Sequence, residues 1–495
     1  MIIDFLRFVL FPMTIGIARR MGGPLTSTHL CHTRSGGLSV PSPATHMPLP
    51  IGTNPLRAFH FYPWPCTFQA FPISECRSLF IGSLLLFLSS QQSNAQKTLS
   101  LTDNTYESQI KTVRLYPDLG GTKDYLQPAS APIHQQNLIL EFDDLQDDRN
   151  NYYVKLIHCN YNWTKSNLME LDFLENFNEN PITDYAFSNN THARYIHYRY
   201  QVPSVKLPGN YLLIAYRNGE ATDLILSKRM MIFSNQIALS KDNLFIGSGT
   251  LQKGKQQFNF DIDYTDVEIL NPMETVHVTI RQNQRWDNTK ENLQPNFIRD
   301  TDKQMEYRFL DESQQFDGGN EFRFVDFRSL SYPGQNTGKI NRMVKPYELY
   351  VANDGPRAEQ NYSQYADLDG NYLIENLDVG EAALTGNYLY INFNLTTPKL
   401  TEGEIYVIGA FNNYERNEEN KMAYNPGGFY ESRLFLKQGM YNYQYYVESK
   451  KASALSIEGS HFETENLYEV MIYQRPFRPN ADLLLGYYLI PINPR

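Results

Sequence analysis

Few residues in this chain are placed to do chemistry. His134, His158, His192 and His197, with Cys159, form the one group resembling metal ligands. Zinc needs ligands that converge from one face, often at CxxC or HxxxH spacing. His158 and Cys159 are neighbours, so on a strand they point to opposite faces, and His192 and His197, five apart, diverge in the same way. Packed or surface histidines are therefore expected, and no metal. Asp143, Asp144, Asp147 and Asp148 could offer oxygens to calcium, but an acidic turn between strands is ordinarily solvated. Asp367-Leu368-Asp369-Gly370 with Glu375 echoes a calcium loop. It lacks the third ligand position before the glycine and brings the distal acid in too early. The sequence contains no G-x-S-x-G elbow, phosphate-binding loop, H-E-x-x-H helix or dinucleotide fingerprint. Paired carboxylates for glycoside hydrolysis meet only in space and leave no linear signature. The expectation is a protein that is not an enzyme and needs no cofactor.

The positive signal is aromatic. The chain has 35 tyrosines, and Tyr441, Tyr443 and Tyr445 fall on one face of a single strand with Tyr446 on the other. Such a stripe can serve as a sugar platform or a protein interface, because a flat ring buries area while its hydroxyl stays satisfied. Core filling by residues of high β-propensity explains the same pattern.

Short strands must position all of these residues. The stretch from Leu138 to Ser166 sets the idiom, with alternating Leu138, Leu140 and Phe142, turn formers from Asp143 to Asn151, and a second alternating run from Tyr152 to Cys159. It reads as a hairpin that needs a second sheet to cover its apolar face. Turns recur about every ten residues, the rhythm of sandwiches. The fold class expected is mainly β, with tandem immunoglobulin-like β-sandwich domains at 97–235, 236–385 and 386–495. Only a short helix near Asn167–Phe177 interrupts the strands.

The first 95 residues are of another kind. They hold ten of the 27 prolines and one tyrosine, Tyr62. Arg77, the apolar run Leu79–Leu88 and Ser93-Asn94-Ala95 form the basic start, apolar centre and small-x-small site of a secretory signal peptide. Residues 76–95 are thus read as a signal peptide cleaved between Ala95 and Gln96. Residues 1–75 are read as an extension outside the working protein, either a start codon set too early or a long leader. The exported chain then carries a formal charge of −14, against −10 for the whole. That balance disfavours nucleic acid as a partner. Cys159 would be its single cysteine, so its domains must hold by their cores.

Several short motifs together resemble the plug protein family of the type IX secretion system. In the first domain they are Phe142-Asp143-Asp144-Leu145, Ile157-His158-Cys159-Asn160 with Trp163 and Ser166, Ile182-Thr183-Asp184-Tyr185 with Ser188-Asn189-Asn190-Thr191, and Pro208-Gly209-Asn210-Tyr211. Farther on come Asn271-Pro272, Gln282-Asn283-Gln284-Arg285-Trp286-Asp287, Gly319-Asn320-Glu321-Phe322-Arg323, Glu458-Gly459 and Thr464-Glu465-Asn466. The resemblance covers nearly all of 97–495. It implies a periplasmic protein at the inner face of the outer membrane that binds a large β-barrel translocon and seals its periplasmic opening when no cargo carrier is engaged. The third domain also resembles glycogen-binding modules of the early-set immunoglobulin type, through Val407-Ile408-Gly409-Ala410-Phe411-Asn412-Asn413-Tyr414 and Lys437-Gln438-Gly439-Met440-Tyr441. Tyr414 stands where such modules usually carry Trp. The alternative function is therefore a carbohydrate-binding β-sandwich protein of the cell envelope.

Overall fold

Alternating strands with Asn, Asp and Gly turns build antiparallel sheets that can only bury their apolar faces in pairs. The computed structural model describes residues 97–241, 254–309 and 312–494. Those residues belong to one compact unit, 92–495, and are mainly β. The signal peptide and the cleavage site at Ala95 and Gln96 lie outside the described residues.

The first sandwich pairs two sheets. One runs in the order Ile110–Pro117, Leu138–Asp144, Ile196–Gln201, Asp184–Phe187. The other centres on Leu224–Phe233, Gly209–Arg217 and Tyr152–Cys159. The expected hairpin over 138–159 does not form. Leu138–Asp144 and Tyr152–Cys159 lie in different sheets, and the acidic turn carries the chain from one sheet to the other. Leu140 and Phe142 face Leu156 and Val154 within one core, which the hairpin reading assigned to a single sheet. Every residue of Leu138–Asp144 is buried, because its outer face is covered as well as its inner one. The expected helix over 167–177 shrinks to one turn, Glu170–Phe173.

The remaining sheets divide the chain differently from the expected boundary at 385/386. Val276–Gln282 pairs with Asn466–Gln474, which pairs with Leu483–Ile492. The chain's last two strands thus complete the sandwich begun by Ala238–Lys241 and Phe260–Asp263, and one core holds Phe260, Ile280, Val470 and Ile490. Between these halves, residues 323–458 form a third sandwich, with Tyr388–Leu395 and Phe429–Lys437 in one sheet and Arg323–Asp326, Tyr372–Ile374, Glu404–Ile408 and Gly439–Glu448 in the other. Alternation identifies a strand but not its partner. Asn466–Gln474 suits both neighbours by pattern. Burial on both faces resolves the choice, with Tyr468, Val470 and Ile472 in the middle core and Met471 and Tyr473 against the first sandwich.

Candidate functional site

The candidate metal and acid ligands do not converge. Among the described residues no three His, Cys, Asp or Glu side chains form a metal-binding group. His158 is buried against Tyr211 and Phe173, and neither ring nitrogen has a hydrogen-bond partner. A Cβ at Gly209 would come within 2.5 Å of its Nε2, which accounts for the glycine opposite this histidine. Burial pushes the His158 pKa down to about 4. His192 packs on Tyr347, and Cys159 is a buried thiol. Because the His158 pKa falls below its ordinary 6.5, the unfolded chain binds its proton first. Stability is complete above pH 6.5 and is lost as pH falls toward 4. Unfolding free energies from urea titrations at pH 7 and pH 5 should therefore differ by about 2 kcal/mol more in the parent than in His158→Leu.

The expectation of a solvated acidic turn fails for Asp143 and Asp144, which are 1% and 0% exposed. Asp144 accepts hydrogen bonds from the Tyr152 hydroxyl (2.7 Å) and Asn150 Nδ2 (3.0 Å) and so anchors the crossing between sheets. Asp143 points outward from its sheet into the third sandwich. Its Oδ2 accepts from Lys437 Nζ and from the Tyr388 hydroxyl, each at 2.6 Å, and its Oδ1 lies 2.7 Å from His197 Nδ1. Lys437 is as buried as its partner, donates also to Ala383 O and lies over the Tyr195 ring at 4.1 Å. Burial alone would raise the Asp143 pKa. The Lys437 ammonium and the His197 hydrogen bond outweigh it and hold the carboxyl below its ordinary range. Linear spacing gave no hint of this pair, which joins residues 294 positions apart.

Aromatic rings and arginines close the seam between the first and middle sandwiches. Trp163, in a left-handed turn at φ 60°, is 4% exposed and meets Trp286 edge to face with centroids 4.9 Å apart. Arg229 lies over both rings, at 4.5 and 4.9 Å, and Arg281 over Trp286 at 3.9 Å. Arg281 in turn is held by Glu469 through Nε (2.5 Å) and Nη2 (2.7 Å). Farther along the seam Tyr473 donates to Asn210 Oδ1, Tyr161 N donates to Asp482 Oδ2, and Tyr161 stacks on His277 at 4.0 Å. Trp163 is thus a joint between sandwiches.

The tyrosine stripe is core. Tyr441, Tyr443 and Tyr445 are at most 2% exposed, and the hydroxyls of Tyr443 and Tyr445 both donate to Asp354 Oδ2 at 2.7 Å. Tyr414 is 5% exposed, lies under the Arg285 guanidinium and packs over Gly370, where a Cβ would come within 2.1 Å of the hydroxyl. It is not available as a stacking platform for sugar. Asp369 and Gly370 form the expected turn with positive φ, but Tyr372–Ile374 then pairs with Gly439–Glu448 rather than closing a local hairpin. In place of a calcium loop, Asp367 accepts from the backbone N–H of Phe322 and Asp369, and burial lifts its pKa to about 7.

Exterior surface and clefts are the candidates left for function among the described residues. The three sandwiches together line a cavity of about 640 Å³. On the outside, Met169, Leu171 and Phe177 are 73%, 73% and 94% exposed on one segment. That segment is rigidly held: Phe173 is buried, and the Asn178 side chain bonds both Leu156 N (2.8 Å) and Leu156 O (2.7 Å).

Fold and site define a class first: a body of interlocked β-sandwiches whose charged and aromatic clusters join its parts. Residues 110–234 match the family model described as "Type 9 secretion system plug protein 1st domain", a match that supports the type IX secretion plug family over that domain. The family is a secretion-system component and not an enzyme class. The crystal structure of a hypothetical protein from Parabacteroides merdae ATCC 43184, at 2.30 Å, is similar to this chain with TM-score 0.73 and 26% identity, covering 80% of this chain and all of that one. A chain of the structure described as the complete manganese lipoxygenase of Gaeumannomyces graminis and partial zonadhesin of Komagataella pastoris matches at TM-score 0.13 and 7% identity, over 78% of this chain and 94% of that one, too low for any inference about fold or function. No curated protein matches the sequence.

Proposed function

We propose that this chain is the periplasmic plug of a type IX secretion system, docking on the inner opening of the outer-membrane translocon barrel and sealing it when no cargo carrier is engaged. The family match over 110–234 is the observation that carries the reading. A barrel wide enough for folded cargo leaks unless something stiff covers it. A seal needs a preformed surface burying roughly 1,000 Å² or more. Buried ion pairs and aromatic seams between sandwiches suit that task, since a lid that flexes between its parts would not close an opening. On this reading residues 76–95 direct export and are removed between Ala95 and Gln96. Envelope location follows from the family's role, and association with the membrane would run through the translocon alone.

A tagged copy should co-purify from detergent extracts with a very large outer-membrane protein; failure to bring one down ends the proposal. The segment carrying Met169, Leu171 and Phe177 lies within the matched family domain and presents rigid apolar surface. We assign it to the translocon contact. Phe177→Asp should lower translocon recovery at least tenfold with an unchanged melting temperature, because the side chain is 94% exposed. Equal recovery would remove this segment from the interface.

A further inference from the structure

The apolar segment assigned above to the translocon contact is not alone at its end of the molecule. Leu270, Met273 and Phe477 are 78%, 49% and 90% exposed, all on the middle sandwich and outside the matched residues 110–234. Short contacts tie them to the first sandwich. Arg475 N donates to Thr275 O (2.8 Å), which places Met273 and Phe477 two residues beyond one cross-strand pair. The Arg475 guanidinium holds Asp482 (2.8 and 2.7 Å), and Asp482 Oδ2 accepts from Tyr161 N (3.0 Å). A Cβ at Gly209 would meet both Asp482 O, at 3.3 Å, and His158, whose ring packs on Phe173. Phe173 belongs to the same turn as Leu171. An unbroken set of contacts therefore runs from Phe477 across the joint to Leu171.

The second patch is also held in place, because Thr275 Oγ1 donates to Asn271 O (3.0 Å) and closes the turn that carries Leu270 and Met273. Exposed apolar side chains clustered on fixed backbone mark contact surfaces. Charge narrows the occupant. Residues 169–179 and 266–275 together carry seven acids and no Lys or Arg. Lys155 pairs with Glu170 (2.6 Å), and Lys165, Lys206 and Arg478 are the other cations beside these segments, so acids remain in excess. Anionic lipid headgroups attract basic segments, and a leaflet therefore does not suit this end. A protein surface with apolar pockets flanked by Lys and Arg does.

We propose that the translocon contact continues across the joint onto the middle sandwich, with Leu270, Met273 and Phe477 entering apolar pockets on a partner surface rimmed by basic side chains. This inference rests on the plug reading and adds to it that two sandwiches face the barrel together. It also gives the joint of Trp163, Trp286 and Arg281 a use. Two patches on separate sandwiches meet one rigid partner without an ordering cost only if the sandwiches keep their relative placement.

Recovery of the very large outer-membrane protein on the tagged full chain, from detergent extracts, tests it. Phe477→Asp should lower that recovery about fivefold or more with an unchanged melting temperature, since the side chain is 90% exposed. Glu175→Lys/Glu274→Lys, which reverses two exposed charges, should lower it as well. Loss in Phe177→Asp but not in Phe477→Asp would confine the contact to the first sandwich and overturn this inference while leaving the plug reading intact. Full recovery by the charge-reversed pair would overturn the basic rim, and no recovery with the parent chain would overturn both readings. Vesicles of phosphatidylethanolamine and phosphatidylglycerol supply the last arm. If the parent sediments with them and Phe477→Asp does not, this end is a lipid contact and the proposal fails.

Discussion

Lys437→Met lowers the stability of the folded chain by about 3–5 kcal/mol, the usual cost of leaving one member of a buried ion pair without its partner. Both side chains are 1% exposed, so solvent cannot replace the lost ammonium at Asp143. The Tyr388 hydroxyl and His197 remain beside the carboxylate, and their hydrogen bonds offset part of the loss without neutralising the charge. Because the pair joins the first and third sandwiches, the variant should also exchange amide hydrogens faster along Ile196–Gln201 and Tyr388–Leu395. The double variant Asp143→Leu/Lys437→Met removes both charges and should recover part of the stability. A fall below 1 kcal/mol in urea titrations of Lys437→Met would mean that the pair does not hold the joint. Acid tests the same contact from the other side. The Asp143 pKa lies below its ordinary 3.8, so its contribution is present above that value and is lost as pH drops below it.

Glu458→Ala should be about as costly, again about 3–5 kcal/mol, through a different mechanism. Glu458, 1% exposed, accepts from Arg323 Nε (3.0 Å), Arg357 Nε (2.6 Å) and the backbone N–H of Tyr445 (2.8 Å). Its pKa lies below the ordinary carboxylate range because Arg357 and Arg323 outweigh the opposing effect of burial. Removing it leaves two buried guanidinium groups with Asp354 as the neighbouring carboxylate, bound to Arg323 at 2.8 Å. It also leaves the Tyr445 N–H unpaired. Glu458 is followed by Gly459 at φ 82°, where the chain leaves the third sandwich to finish the middle one. The lesion should therefore loosen Asn466–Gln474 as well as the third core. Hydrogen exchange confined to the third sandwich, with Asn466–Gln474 fully protected, would contradict that coupling.

The motifs quoted from the sequence turn out to be joints. Asp143 and Asp144 organise the first sandwich and its contact with the third, His158 and Gly209 face each other, and Asn210 receives Tyr473 from the far end of the chain. Their residue types were legible as turns and strands, but their partners were not. Lys437 appeared only as part of a strand-turn pattern, because nothing about a lysine at a strand end announces an aspartate nearly three hundred residues away. Tyr414 and the 441–445 stripe had two readings in the sequence, platform or core. A ring's exposure depends on what packs over it, and alternation along one strand is silent about that.

The sequence by itself determined that this chain is mainly β, where most of its strands run, and that it resembles the plug family, because alternation and turn residues are local properties that short stretches carry on their own. Only the tertiary structure decided that the 138–159 strands face each other across a core, that the last two strands belong to the middle sandwich, and that three sandwiches meet around one cavity and are joined by buried ion pairs. Pairing and charge neutralisation there join residues hundreds of positions apart, and such contacts leave no mark on the pattern of any single segment.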